Sequence, residues 1–269
     1  MPGLPEGNMS RSMNDTLRTI HSLRSNHKFT SEEIPKEALE EIFKACVKAA
    51  NASARQSYSI VVVGDRGVMK ETLGYEGSRA LIFCVDYNRI VDAAEHMGYN
   101  FTVDGINAFI TGSTDAILAA QTAAIAAKSL GIDSLFTNSL HRGDIERIYR
   151  RFGLPERYCF PLISLILGYS AETPEYFKGR LEGKGVIHYD GYHRLTGEEL
   201  DWLVNEYDDP EKRLGVIRDW EERGFTHYLD WFYAVWSVRD KRSVPERVKQ
   251  FFDLLERAGF LEGFPLQQL

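Results

Sequence analysis

Apolar positions along the chain recur with two different periods, and the alternation between them outlines the fold. Leu17, Ile20 and Leu23 fall at helical spacing behind Asn14 and Asp15, either of which can cap a helix start. Pro35 opens an amphipathic stretch with Leu39, Ile42, Phe43, Cys46 and Val47 on one stripe, predicting a helix that ends near Ala50. Short β-branched and aromatic runs predict strands at Ser57–Val63, Ala80–Asp86, Ser134–Thr137 and Cys159–Leu167, with Pro161 marking an edge or an irregular start in the last. Between the second and third runs lie a short helical pattern, Ile90–Met97, and a Gly- and aromatic-rich stretch. A long Ala-rich helix then spans Ser113–Leu130, with Gly131 after it. Alanine on every face predicts close neighbours on most sides. Arg142–Phe152 reads as a helix stopped by Gly153. After a Lys-, Gly- and Tyr-rich loop over 174–194 the pattern becomes helical. Four further helical runs carry all four tryptophans: GEELDWLVNEY, PEKRLGVIRDWEERG, THYLDWFYAVWSV and VPERVKQFFDLLERAGF.

Strands interleaved with helices, then a helical last third, predict an α+β or three-layer core with an appended lobe. The boundary falls after the loop, giving 1–195 as the core domain and 196–269 as a helical C-terminal extension. Composition changes this picture little. The 269 residues carry a net charge of −7 and no basic block, which argues against a nucleic-acid partner. No run of 18 apolar residues occurs, so no membrane span is expected. The N-terminus lacks the apolar core of a signal peptide, and the expected compartment is the cytoplasm. Cys46, Cys84 and Cys159 are odd in number and far apart, which points to neither a disulfide framework nor a zinc site.

Familiar catalytic signatures are missing: there is no GxGxxG, GxxxxGK[ST], GxSxG or HExxH. Four segments remain as carriers of chemistry. Leu23–Phe29 (LRSNHKF) gathers Arg24, Ser25, His27 and Lys28, a set able to grip a phosphate or simply to favour a helix C-terminus. Ala49–Tyr58 (AANASARQSY) joins a helix to a strand. Its small residues let a flat ligand approach, and Asn51, Ser53 and Gln56 offer polar groups; a tight connection has the same needs. Ser134–Ser139 (SLFTNS) ends a strand where ligands gather in layered α/β proteins, although Asn138 or Ser139 can equally cap the next helix. Gly168-Tyr169 and Lys178-Gly179-Arg180-Leu181 supply a second pair of cations around a glycine, in a loop that solvent alone could account for.

In this order the segments resemble the nitroreductase family. The family's Arg-Arg-Ser-x-Arg-x-Phe opening corresponds to Leu23–Phe29. Its Pro-Ser-x-x-Asn-x-Gln-Pro-Trp loop corresponds to Ala50–Tyr58, with Gln56 kept. The Ala-rich helix leading to Ser134, then Gly153–Glu156, Leu167–Tyr169 and Lys178–Leu181, complete the series over roughly residues 17–194. Leu23 and His27 stand where the family has Arg, Asn51 where it has Ser, and Ala54 where it has the loop Asn. Lys28 and Arg55 are the nearby cations that stand to replace the lost charge.

The resemblance implies a nitroreductase-like three-layer α/β/α sandwich and an obligate homodimer with FMN at its interface. By position, Arg24, Ser25, His27, Lys178 and Arg180 would hold the ribityl phosphate. Asn51, Ala52, Ser53 and Gln56 would line the isoalloxazine, partly from the other subunit, and Thr137 and Asn138 would face the ring. NADH or NADPH would donate hydride through FMN to a small electron-poor acceptor in a ping-pong cycle, which needs no side-chain nucleophile. Tyr99, Phe101 and Phe109 are aromatic candidates for stacking on a flat acceptor. The same resemblance is compatible with other flavin chemistry, such as reductive cleavage or flavin fragmentation, or with a non-catalytic flavin- or partner-binding protein.

Overall fold

The computed structural model describes residues 14–141, 144–172, 178–237 and 244–262. They form two compact units: one of Met1–Thr173 together with Phe251–Leu269, the other of Pro174–Gln250.

The first unit is built on one antiparallel sheet. Its strands are β1 (Tyr58–Val63), β2 (Arg79–Asp86), β3 (Asp133–Thr137) and β4 (Cys159–Gly168), in the order β1-β2-β4-β3. The helices of this unit are α1 (Asp15–His21), α2 (Lys36–Cys46), α3 (Arg66–Leu73), α4 (Asn88–His96), α5 (Gly105–Ser129) and α6 (Ile145–Phe152). Alternation along β2 sends Leu81 and Phe83 to one face, where they meet Leu39 and Ile42 of α2 and the alanines of α5. Ala80, Ile82 and Cys84 point to the other face, against Val68, Met69 and Leu73 of α3 and Ile148 of α6. Two helical layers therefore cover one sheet, as the resemblance implied. A third cluster closes one end. There Val85, Tyr87, Ala108, Tyr149 and Phe160 pack with Leu254, Ala258 and Phe260 from the end of α9 (Val244–Arg257) and the turn after it.

Pro161 sits inside β4, and the register against β2 shifts between Phe83 and Cys84 beside it. On its other side β3 pairs only with Ser164–Gly168, so no β3 partner needs the missing N–H of Pro161.

Helix α5 differs from its reading. It starts at Gly105, eight residues before Ser113. Its alanines bury a single face, formed by Ala116, Ala119, Ala120, Ala123, Ala124 and Ala127, while Ile106, Ile110, Ile117 and Leu118 stay exposed. Gly112 permits the closest approach. A Cβ there would lie 2.5 Å from Val85 Cγ1 and 3.0 Å from the carbonyl oxygen of Ser57. Helix α3 was not legible because its eight residues carry only three buried positions, although Asp65 caps it by accepting from Val68 N at 2.9 Å.

The second unit holds α7 (Gly197–Asp208), capped by Thr196 and Glu199, and α8 (Tyr228–Trp231), which runs into a π-helical turn at Phe232–Trp236. Trp220, Tyr228 and Trp231 form its core with Tyr207, Ile217 and Phe232. The segment 210–224 is a series of turns rather than the expected helix. Its periodic apolar residues are used one at a time: Ile217 and Trp220 go to this aromatic core, whereas Val216 stays exposed.

Replacing Gly112 with Ala is expected to lower the stability of the folded chain by about 1–3 kcal/mol, because the added methyl overpacks a filled contact. An exposed helical glycine would instead gain about 1 kcal/mol from the same change. Equilibrium denaturation in urea decides between the two signs.

Candidate functional site

After α1 the chain runs extended along the free edge of β3. Ser25 bridges to Ser134, and the N–H of Asn26 donates to the Ser134 carbonyl at 3.0 Å. Phe29 then bridges to Ser170, with Thr30 N donating to Tyr169 O at 2.8 Å and Ala171 N to Lys28 O at 3.0 Å. A Cβ on Gly168 would lie 3.0 Å from the Phe29 ring, so the glycine of the Gly168-Tyr169 pair serves this packing. Three of the segments read from the sequence thus meet at one corner: Arg24–Phe29, Ser134–Asn138 and Gly168–Tyr169.

Here Ser25, His27 and Asn138 are exposed and Arg24 is half-buried. The His27 ring lies 5.9 Å from that of Tyr75. Lys28 pairs with Glu172, so its charge is already engaged. Thr137 is buried, and its Oγ1 accepts from Ser139 N at 3.1 Å. Asn26 was not singled out in the sequence. It is only 7% exposed, and its Oδ1 accepts from Ser170 Oγ at 3.3 Å. Its Nδ2 is buried with no hydrogen-bond partner among the described residues. A buried amide donor without an acceptor costs free energy. The neighbouring Arg24 guanidinium and the exposed Ser25 carry further donors on the same short segment, of the kind that suits an anionic oxygen.

The loop at 51–57 lies at the opposite edge, where it enters β1. Ser53, Ala54 and Gln56 all have left-handed backbone, with φ of 54°, 55° and 50°. Such conformations cost non-glycine residues on the order of 1 kcal/mol or more each and persist only where the surroundings impose them. Asn51 Oδ1 accepts from Gln56 N at 3.0 Å, and Arg89 Nη2 donates to the carbonyls of Arg55 and Gln56 at 3.0 and 2.6 Å. Ala52 N and Ser57 N donate to the carboxylate of Asp115, at 2.9 and 3.2 Å. Ser53 projects into solvent, whereas Gln56 Nε2 turns back to the Val47 carbonyl at 3.5 Å. Arg55 Nε faces the Ala52 carbonyl at 3.5 Å.

Register fixes how far apart these two corners are. Ser25 aligns through Ser134 with Leu167, and Tyr58 aligns through Val85 with Phe160. Four strand spacings across and seven residues along the sheet separate them by roughly 30 Å. One chain therefore keeps 24–28 and 51–56 apart. Lys178 and Arg180 are exposed and belong to the second unit, where Gly179 N donates to the Arg213 carbonyl at 3.2 Å. Arg180 Nη1 donates to the Gly179 carbonyl at 2.8 Å.

Of the aromatic candidates, Tyr99 is 67% exposed. Phe101 and Phe109 are half-buried and pack against the third cluster; the Phe109 ring lies 5.3 Å from Phe160 and 5.4 Å from Phe260.

A model of the nitroreductase family matches residues 20–169, more than half of the chain, and the chain belongs to that family. An FMN reductase [NAD(P)H] of Bacillus subtilis is 27% identical over 239 residues, covering 82% of this chain and 94% of its own length. A Cr(VI) reductase of a Pseudomonas strain is 33% identical over 195 residues, covering 69% of this chain and 77% of its own. Among solved structures, a nitroreductase of B. subtilis superposes with a TM-score of 0.75 at 22% identity, covering 91% of this chain and 98% of that one. That likeness confirms the fold. No helix among the described residues is long and apolar enough to cross a membrane.

Just beyond Asn138, His141 Nε2 lies 2.8 Å from the Pro161 carbonyl, and its ring packs between Phe160 and Phe251. Burial holds its pKa below the ordinary histidine value, and the bond to Pro161 offsets this only partly. The unfolded chain therefore takes up a proton here near pH 6.5 while the folded chain resists it. Stability should fall as pH drops through that value, by at most about 1.4 kcal/mol per pH unit from this group. Urea unfolding at pH 7.5 and 5.0 should show the loss, and H141Q should reduce it.

Proposed function

We propose that the protein is an FMN-dependent NAD(P)H oxidoreductase that acts as a homodimer on a small electron-poor acceptor: a nitroaromatic, a quinone or an activated alkene. The observation that carries this reading is the separation of two half-sites. A cationic, donor-rich corner at 24–28 suits a phosphate. A strained polar loop at 51–57, roughly 30 Å away by sheet spacing, suits a flat ring. Two copies related by a twofold axis bring one corner of each chain to the other's opposite corner, giving two equivalent sites. The exposed Ile106, Ile110, Ile117 and Leu118 on α5, with Ile110 59% exposed, supply an apolar surface for that contact. The names of the relatives, an FMN reductase and a Cr(VI) reductase, support the same class of chemistry.

In this reading Arg24, Ser25, His27, Lys178 and Arg180 hold the phosphate, and the Asn26 amide joins them. Asn51, Ala52, Ser53 and Gln56 line the ring, with Thr137 and Asn138 on its polar edge. Bound there, FMN would supply the two-electron chemistry that links NADPH or NADH to the acceptor in two separate half-reactions. The residues of the chain bind and orient; none is required as a nucleophile.

Purified protein should be yellow or turn yellow with added FMN, bleach with NADPH or NADH in the absence of oxygen, and elute at the mass of a dimer. A colourless monomer that binds no FMN would defeat the proposal. Asn26→Ala and Arg24→Gln should each weaken FMN binding by about 10- to 100-fold, the effect of losing one charge-assisted hydrogen bond to phosphate. Quenching of flavin fluorescence measures it.

A further inference from the structure

We infer that Asp115 is a positioning residue that moulds the 51–57 loop before any ligand arrives; the inference rests on the reading of that loop as cofactor-lining. Asp115 lies midway along α5 and is 2% exposed. Its two carboxylate oxygens take different partners, Oδ1 the N–H of Ala52 and Oδ2 the N–H of Ser57. These two amides bracket the three left-handed residues Ser53, Ala54 and Gln56. Among the described residues no cation is paired with this carboxylate. A buried, unpaired carboxylate is costly unless it satisfies other donors, and here the donors are backbone amides that only the strained loop presents.

The geometry leaves little room for another side chain. Asn has one acceptor oxygen, so it would keep one of the two bonds and turn its own amino group on the other N–H. Gly112, one helical turn earlier, lets the α5 backbone come close to the Ser57 carbonyl, so the carboxylate reaches both amides at once. Arg89 holds the outer side of the same loop through the carbonyls of Arg55 and Gln56. Donors and acceptors of the loop backbone are thus clamped from two directions, while Ser53 is left facing solvent.

The role is a matter of backbone strain, which gives it a signature beyond stability. Asp115→Asn should raise the FMN dissociation constant at least tenfold. Ala54→Gly in the same chain should recover part of that loss, at least threefold, because glycine adopts the left-handed conformation without support. A folded D115N protein with unchanged FMN affinity overturns the inference. So does a double variant that shows no recovery, since extra glycine flexibility helps only where strain is the problem. If D115N does not fold, hydrogen exchange on the unmodified FMN-free protein decides: the Ala52 and Ser57 amides should already exchange at least a hundredfold more slowly than in an unstructured peptide. Exchange at the unprotected rate would show that the loop is not pre-formed. If the unmodified protein binds no FMN at all, the flavin reading fails, and the exchange measurement still tests the brace by itself.

Discussion

The close contact between α5 and the sheet is the constraint on which the rest of the molecule depends. A 25-residue helix lies against β1 and β2 through alanine and one glycine, so the backbones approach more closely than larger side chains would allow. That approach brings a carboxylate at position 115 within reach of the loop entering β1. It also leaves the larger apolar residues of the helix, Ile106, Ile110, Ile117 and Leu118, facing outward. One helix therefore contributes to the core, to the shape of a polar loop and to an apolar outer surface.

The sheet order has an equally direct consequence. With β1 and β3 as the two edges, segments attached to them stand at opposite corners of the same layer. The extended chain at 24–30 adds to the β3 side through backbone bonds to Ser134 and Tyr169. The 51–57 loop leads into β1 at the other side. A single copy carries both sets of polar groups and cannot close them around one small molecule. In the proposed reading a second copy is then part of the site rather than an addition to it.

The described residues 251–262 belong to the first unit. Leu254, Ala258 and Phe260 complete the cluster around Tyr87 and Phe160, next to the His141 ring. The aromatic lobe at 174–250 is thus an insertion between two segments of one compact unit, with its own core around Tyr228. Short-range patterning carries no trace of this return, since the apolar face of α9 reads the same whichever core it joins.

Much of the fold was legible in local pattern. The four strands were found because β-branched and aromatic runs bounded by polar turns have few alternatives, and α2 because a single apolar stripe marked it. The candidate site was legible in outline: Arg24, Ser25, His27, Asn51 and Gln56 stood out by residue type and order. Asn26, Asp115 and Arg89 did not, because an Asn in a loop, an Asp in a helix and an Arg near a strand end are unremarkable until their partners are known. Those partners lie 144, 58 to 63, and 33 to 34 residues away. By itself the sequence determined the elements and the chemical types available, since both follow from neighbours a few residues apart. Tertiary structure alone decided that three non-glycine residues of the 51–57 loop take left-handed backbone, that a buried carboxylate bonds the amides on either side of them, and that the two polar corners lie apart. Each depends on contacts between distant segments, and no local pattern encodes them.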